Sequence, residues 1–258
     1  MNPLRIAMWS GPRNISTAMM RAFGARADCA VSDEPFYAAY LKATGFKHPM
    51  RDQVIASQPT DWREVAAAMT GPIPGGKSLW YQKHMTHHML TGFGLEWIDG
   101  VANAFLIRAP EAVLASYAQK RGDFTLEDIG LPAQLALFER TAQRLGKAPP
   151  VVRGADVLAN PRAILGALCA ALGVAFDEAM LSWPPGRRAT DGVWAPAWYG
   201  AVEQSTGFGP PRREAGFEDL PDGLKRIAEH ARPFYEKLEK YRLGGQGRSK
   251  GTTNAPKF

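Results

Sequence analysis

The chain has 258 residues, 22% charged and 45% hydrophobic, enough to bury a substantial core without disulfide staples. That composition excludes collagen-like repeats and long disorder, and no apolar stretch approaches the ~20 residues that a bilayer span needs. Thirty-one basic against 25 acidic side chains give +6, and three of the basic ones (Arg248, Lys250, Lys257) lie after Gly244 with no acid among them. The basic residues form no run, so the balance suits a solvated surface or a small anionic ligand rather than nucleic acid. Cys29 and Cys169 are far apart in apolar settings. With no membrane segment and a first apolar run too short for a secretory signal, the expectation is a reduced, cytoplasmic protein.

Leu4 to Met8 form a short apolar run that stops at Ser10-Gly11-Pro12, and a helical stretch follows from Ile15 to Phe23. Further strands are expected at Cys29–Val31, Ser78–Gln82, Ala104–Ile107 and Val151–Val152. Between them lie helices at about Phe36–Ala43, Asp61–Met69, Pro110–Arg121 and Leu131–Leu145. Asn160-Pro161 opens a clear helix, with an N-cap residue and then Pro at the first helical position, and Gly173 closes it. Pro184 to Pro211 turns to Pro, Gly and Trp, which reads as a long ordered loop or lid. A last helix spans Pro221 to Tyr241, with a kink expected at Pro233. Strands alternating with helices predict a three-layer α/β fold around a parallel sheet, one domain over 1–243, and a basic, disordered tail over 244–258.

The strand, the Ser10–Thr17 loop and the helix after it have the layout of a phosphate cradle, because amides at a helix N-terminus point outward and its dipole favours negative charge. Ser16 and Thr17 can add hydroxyl donors and Arg13 a guanidinium fork. The G-x-x-x-x-G-K-[ST] pattern is not met: the second Gly and the Lys are missing. A second element follows Ala104–Ile107. Arg108 ends the strand, Pro110 starts a helix and Ser116 sits eight residues after the Arg, bringing a cation and a hydroxyl toward the same sheet edge.

Together these elements resemble the sulfotransferases that use 3′-phosphoadenosine 5′-phosphosulfate (PAPS). Pro12-Arg13-Asn14-Ile15-Ser16-Thr17 stands where that family has Pro-Lys-Ser-Gly-Thr-Thr around the 5′-phosphosulfate. Arg108 to Ser116 has the spacing of its 3′-phosphate motif. Val151 to Asn160-Pro161, continuing through Leu172-Gly173 to Phe176, looks like its downstream segment. The resemblance implies a P-loop NTPase-like sulfotransferase fold, PAPS as cofactor with adenosine 3′,5′-bisphosphate as product, and a small-molecule acceptor. It implies cofactor contacts from Arg13, Asn14, Ile15, Ser16, Thr17, Arg108 and Ser116, and no metal. Arg replaces Lys at 13, Ile replaces Gly at 15, and no Trp follows Thr17.

Transfer to a hydroxyl or amine needs a base for its proton and a cation at the leaving phosphate. Arg13 is the candidate cation. The base candidates are Glu34, in Ser32-Asp33-Glu34-Pro35, and His84, in Gln82-Lys83-His84-Met85. Glu34 can equally be a helix N-terminal acid, and His84 a half-buried core histidine. His84 and His88 are four apart, but no completing ligand accompanies them, so zinc is disfavoured. Trp183, Trp194, Trp198 and Tyr199 suit either an acceptor pocket or the core. Two rival functions remain: a nucleotide-dependent phosphotransferase, and a non-catalytic nucleotide-binding protein of the same fold.

Overall fold

A computed structural model describes residues 3–118, 125–211 and 213–244. Five strands, β1 (Leu4–Ser10), β2 (Cys29–Asp33), β3 (Leu79–Met85), β4 (Ala102–Ile107) and β5 (Val151–Arg153), form one all-parallel sheet in the order β2-β3-β1-β4-β5. Eleven α-helices are described: α1 (Ser16–Gly24), α2 (Tyr37–Thr44), α3 (Arg51–Ser57), α4 (Trp62–Thr70), α5 (Pro110–Ala118), α6 (Leu131–Leu145), α7 (Gly154–Ala159), α8 (Pro161–Leu172), α9 (Ala195–Trp198), α10 (Gly200–Glu203) and α11 (Asp222–Glu239).

Alternation along β1 explains the layers. Ile6 and Met8 face one core with Met19, Phe23, Leu165 and Leu168, while Ala7 and Trp9 face the other with Phe105, Leu135, Phe138 and Leu238. A strand buried on both faces reads as a continuous apolar run, which is why Leu4 to Met8 stands out in the sequence. Each fully buried Leu, Ile or Phe side chain contributes about 1.5–3 kcal/mol of transfer free energy.

The expected elements are present, with three differences. The first and third strands run on to Ser10 and Met85, so Lys83 and His84 lie within β3 rather than after it. Helices α7 and α3 are additions. The start of α3, Met50, has a left-handed backbone and lacks a side-chain cap, so no capping signal marks it. The Pro/Trp-rich segment holds the short helices α9 and α10. Helix α11 is the expected last helix, with Pro233 inside it. Asn160 caps α8 as expected: its Oδ1 accepts from Ala163 N at 3.1 Å, and Gly173 ends the helix at φ 73°. The end of the Pro110–Arg121 helix and the tail beyond Gly244 lie outside the described residues.

Two side chains fix the carboxyl edge of the sheet. Gln134 Nε2, buried on α6, donates to Trp9 O at 3.0 Å and Leu106 O at 2.9 Å, joining the ends of β1 and β4. Asn14 Nδ2 donates to Leu106 O at 3.0 Å. Gly154 leaves room for that amide, since a Cβ there would stand 2.7 Å from Asn14 Oδ1.

Candidate functional site

Beyond the ends of β1 to β4 opens a cleft of about 500 Å³, lined by residues 12–18, Glu34, Tyr37, His48, Lys83, Arg108, Ser116, Trp194, Trp198 and Tyr199, among others. It lies at the carboxyl edge where β1 connects to one side of the sheet and β3 to the other, the place where open α/β sheets bind ligands.

One half of the cleft is the loop after β1. Arg13 adopts φ 54°, a left-handed conformation uncommon for a side chain of its size. Its Nε donates to Ser116 Oγ at 3.0 Å, and its carbonyl accepts from Arg108 Nη1 at 2.5 Å. Burial, and then the Arg108 charge, lower the Arg13 pKa, although an arginine remains protonated. Helix α1 starts here with no side-chain cap and no acid in its first turn, so its positive end is uncompensated. Arg108 Nε also pairs with Glu214 Oε1 at 2.7 Å, with both side chains partly exposed.

The other half is built on β2, β3 and the Pro/Trp-rich segment. Glu34 follows β2 at φ 42°, its carbonyl held by Gln58 Nε2 at 3.2 Å. Lys83, 1% exposed, uses its three N–H groups on Asp33 Oδ1 (2.8 Å), Glu34 Oε1 (2.5 Å) and Tyr199 Oη (2.7 Å). Burial pushes the Glu34 carboxyl pKa up, against the pull of Lys83 and with added repulsion from Asp33. Lys83 is held well above its usual range: the two carboxylates outweigh the burial that would lower it. His88 stacks on Tyr37 and on Tyr40, each at 4.7 Å, and burial keeps its imidazole neutral.

The structure brings Arg13, Asn14, Ile15, Ser16, Thr17, Arg108, Ser116 and Glu34 to this one cleft. It does not bring His84, and that expectation is corrected. Because β3 continues to Met85, its pleat sends Lys83 and His84 to opposite faces. The His84 ring packs 4.7 Å from Trp9, and burial lowers its pKa to about 3. Trp194, Trp198 and Tyr199 line the cleft, whereas Trp183 packs in the core around Met180. Lys83 and Asp33 were visible only as neighbours of the base candidates; knowing where β3 ends would have singled out Lys83.

The segment 191–199 is tied down from two sides. Arg21 and Asp191 form a two-pronged ion pair (2.5 and 2.6 Å) with side chains 3% and 0% exposed, and Gly192 N donates to Asp33 Oδ2 at 3.1 Å. Removing one partner of such a pair costs about 3–5 kcal/mol, because a charge is left buried.

Comparison with known proteins agrees with this architecture. Two Arabidopsis thaliana proteins, branched-chain-amino-acid aminotransferase-like proteins 1 and 2, are 34% and 33% identical over 239 and 208 residues. The alignments cover 93% and 81% of this chain but 42% and 37% of theirs, so the chain spans about two fifths of those relatives. The fold is shared with the sulfotransferase domain of the Synechococcus PCC 7002 olefin synthase (TM-score 0.54, 18% identity, 89% of this chain and 94% of that one). It is also shared with the sulfotransferase domain from the curacin biosynthetic pathway (0.52, 16%, 88% and 97%) and a sulfotransferase from Alicyclobacillus acidocaldarius (0.52, 11%, 93% and 96%). The sulfotransferase domain model matches residues 4–242, and the chain belongs to that family.

Proposed function

We propose that the chain transfers a sulfuryl group from PAPS to a hydroxyl or amine of a small acceptor. The observation that carries this reading is the joining of two separate elements at one mouth. The loop after β1 and the Arg108–Ser116 element meet through Arg13 Nε–Ser116 Oγ and Arg108 Nη1–Arg13 O. Two guanidinium groups, a hydroxyl and the uncapped N-terminus of α1 thus converge where a doubly phosphorylated nucleotide would be held, and no acid stands in the first turn of that helix.

PAPS, when bound, supplies the activated sulfuryl group and an anionic phosphate leaving group. In this reading Arg13 and the first-turn amides of α1 hold the 5′ side, and Arg108 with Ser116 holds the 3′-phosphate. Glu34 takes the proton from the acceptor hydroxyl or amine, and its raised pKa brings it closer to the range where a carboxylate is an effective base. Tyr37 and Trp198 line the acceptor side of the cleft and keep water from it.

Calorimetric titration with adenosine 3′,5′-bisphosphate, with AMP and ATP–magnesium as comparators, tests the cofactor class. Wild type is expected to prefer the bisphosphate. Arg108→Ala should weaken that ligand by about 10- to 150-fold, the worth of a charge-assisted contact, while leaving AMP nearly unchanged. Bisphosphate binding no tighter than AMP would overturn the reading, and preference for ATP–magnesium would replace it with phosphoryl transfer.

A further inference from the structure

A carboxylate 2.5 Å from an ammonium is ordinarily a poor base, because the ion pair holds it ionised and disfavours its protonated form. The surroundings of Lys83 resolve this difficulty. Asp33 receives three donors: Lys83 Nζ on Oδ1, Gly192 N on Oδ2, and the Tyr199 hydroxyl, 2.8 and 2.7 Å from its two oxygens. Among the described residues, Glu34 receives on its carboxylate the single bond from Lys83, and its side chain is 12% exposed on the cleft. One carboxylate is therefore satisfied by donors on both of its oxygens, while its neighbour is left partly unsatisfied. The Asp33 charge repels Glu34 while Lys83 attracts it, so the net pull on the Glu34 carboxylate is smaller than that of the ammonium alone.

Resting on the reading of Glu34 as the base, we propose that Asp33 and Tyr199 are positioning residues: they hold Lys83 in place and thereby set how tightly Glu34 holds its proton. Tyr199 is the member from outside the sheet. It brings the Pro/Trp-rich segment into the set, and Trp194 Nε1 supports its hydroxyl at 3.2 Å. The titratable groups facing Glu34 are Asp33 from β2, Lys83 from β3, Tyr37 from α2 and Tyr199 after α9, with His48, His87 and His88 along the same wall.

The arrangement predicts shifts of opposite sign, which a merely structural role would not produce. In Asp33→Asn the whole Lys83 charge acts on Glu34, and its proton affinity should fall at least about tenfold, one pH unit. In Lys83→Met it should rise by at least as much. Tyr199→Phe should act in the same sense as Asp33→Asn but more weakly, and Lys83→Arg should stay near wild type.

The experiment is a carbon-13 NMR titration of the full chain carrying labelled glutamate, with the Glu34 carboxyl signal assigned by its loss in Glu34→Gln. Should Lys83→Met fail to fold, Lys83→Met combined with Asp33→Asn leaves no unpaired charge at Asp33 and must still titrate higher than Asp33→Asn alone. Shifts in the same direction for the Asp33 and Lys83 variants, or shifts below twofold, would overturn the proposal. The titration needs no turnover, so its failure is separate from that of the sulfuryl-transfer reading, which the bisphosphate titration decides.

Discussion

The two halves of the cleft use positive charge in opposite ways. Around the loop after β1, Arg108 donates to the Arg13 carbonyl and Arg13 to the Ser116 hydroxyl, and among the described residues Glu214 at the rim is the acid paired with either of them. On the other side, Lys83 is sealed from solvent and surrounded by Asp33, Glu34 and Tyr199. A free guanidinium attracts an anion, whereas an ammonium consumed by carboxylates sets the protonation of its neighbours. Sorting cations by their bonding, rather than counting them, divides the cleft into a half whose cations stay open to an anion and a half to which the proposed function assigns the proton transfer.

The largest effect that tests this division is expected at Glu34. Glu34→Gln should lower turnover, followed as bisphosphate release, by 10²–10⁴-fold, about 3–5 kcal/mol, with bisphosphate affinity unchanged. A loss of binding instead would show that the two halves are not separate.

Next comes His84, which lies on the same strand as Lys83 but outside both halves. Its native pKa of about 3 lies well below an ordinary histidine value. The unfolded chain therefore binds the proton first as pH falls below about 6.5, and stability drains away from there toward pH 3, by on the order of 4 kcal/mol. His84→Phe should flatten the dependence of Tm on pH over that window and leave bisphosphate affinity intact. An unchanged acid limb would remove the histidine from this account.

The smallest effect is expected at the rim. The Glu214 carboxylate occupies Arg108 Nε, and an exposed pair of this kind is worth about 0–1 kcal/mol. Glu214→Gln should tighten bisphosphate binding by up to about fivefold and leave AMP unaffected, as read by calorimetry. Weaker binding would mean that Glu214 orients Arg108 rather than competing for it.

What the sequence made legible were features encoded locally. The cradle was readable because Gly11 to Thr17 is contiguous, and Arg108 to Ser116 because a strand end and one and a half turns of helix fix that distance. The partnership of Glu34 with Lys83 was not readable, since it depends on β2 pairing with β3 in a register that places Asp33 opposite Lys83. The pleat of β3 separates Lys83 from His84, and a strand ending at Gln82 gives no reason to assign them to different faces. Tyr199 is still less local: it reaches Asp33 across 166 positions, carried there by a segment whose composition announced order but not destination.

Arg13 and Glu34 share a further property, their left-handed backbones at φ 54° and 42°. For residues with a Cβ, that conformation costs on the order of 1–2 kcal/mol. Glycine at either position would relieve this cost and delete a charged side chain from the cleft. At Arg13 a selection for heat resistance alone would thus be drawn to a residue on which the proposed chemistry depends, whereas at Glu34 the gain is offset because Lys83 would lose a buried partner. In this fold, gains in thermal tolerance at Arg13 and retention of the proposed reaction run in opposite directions.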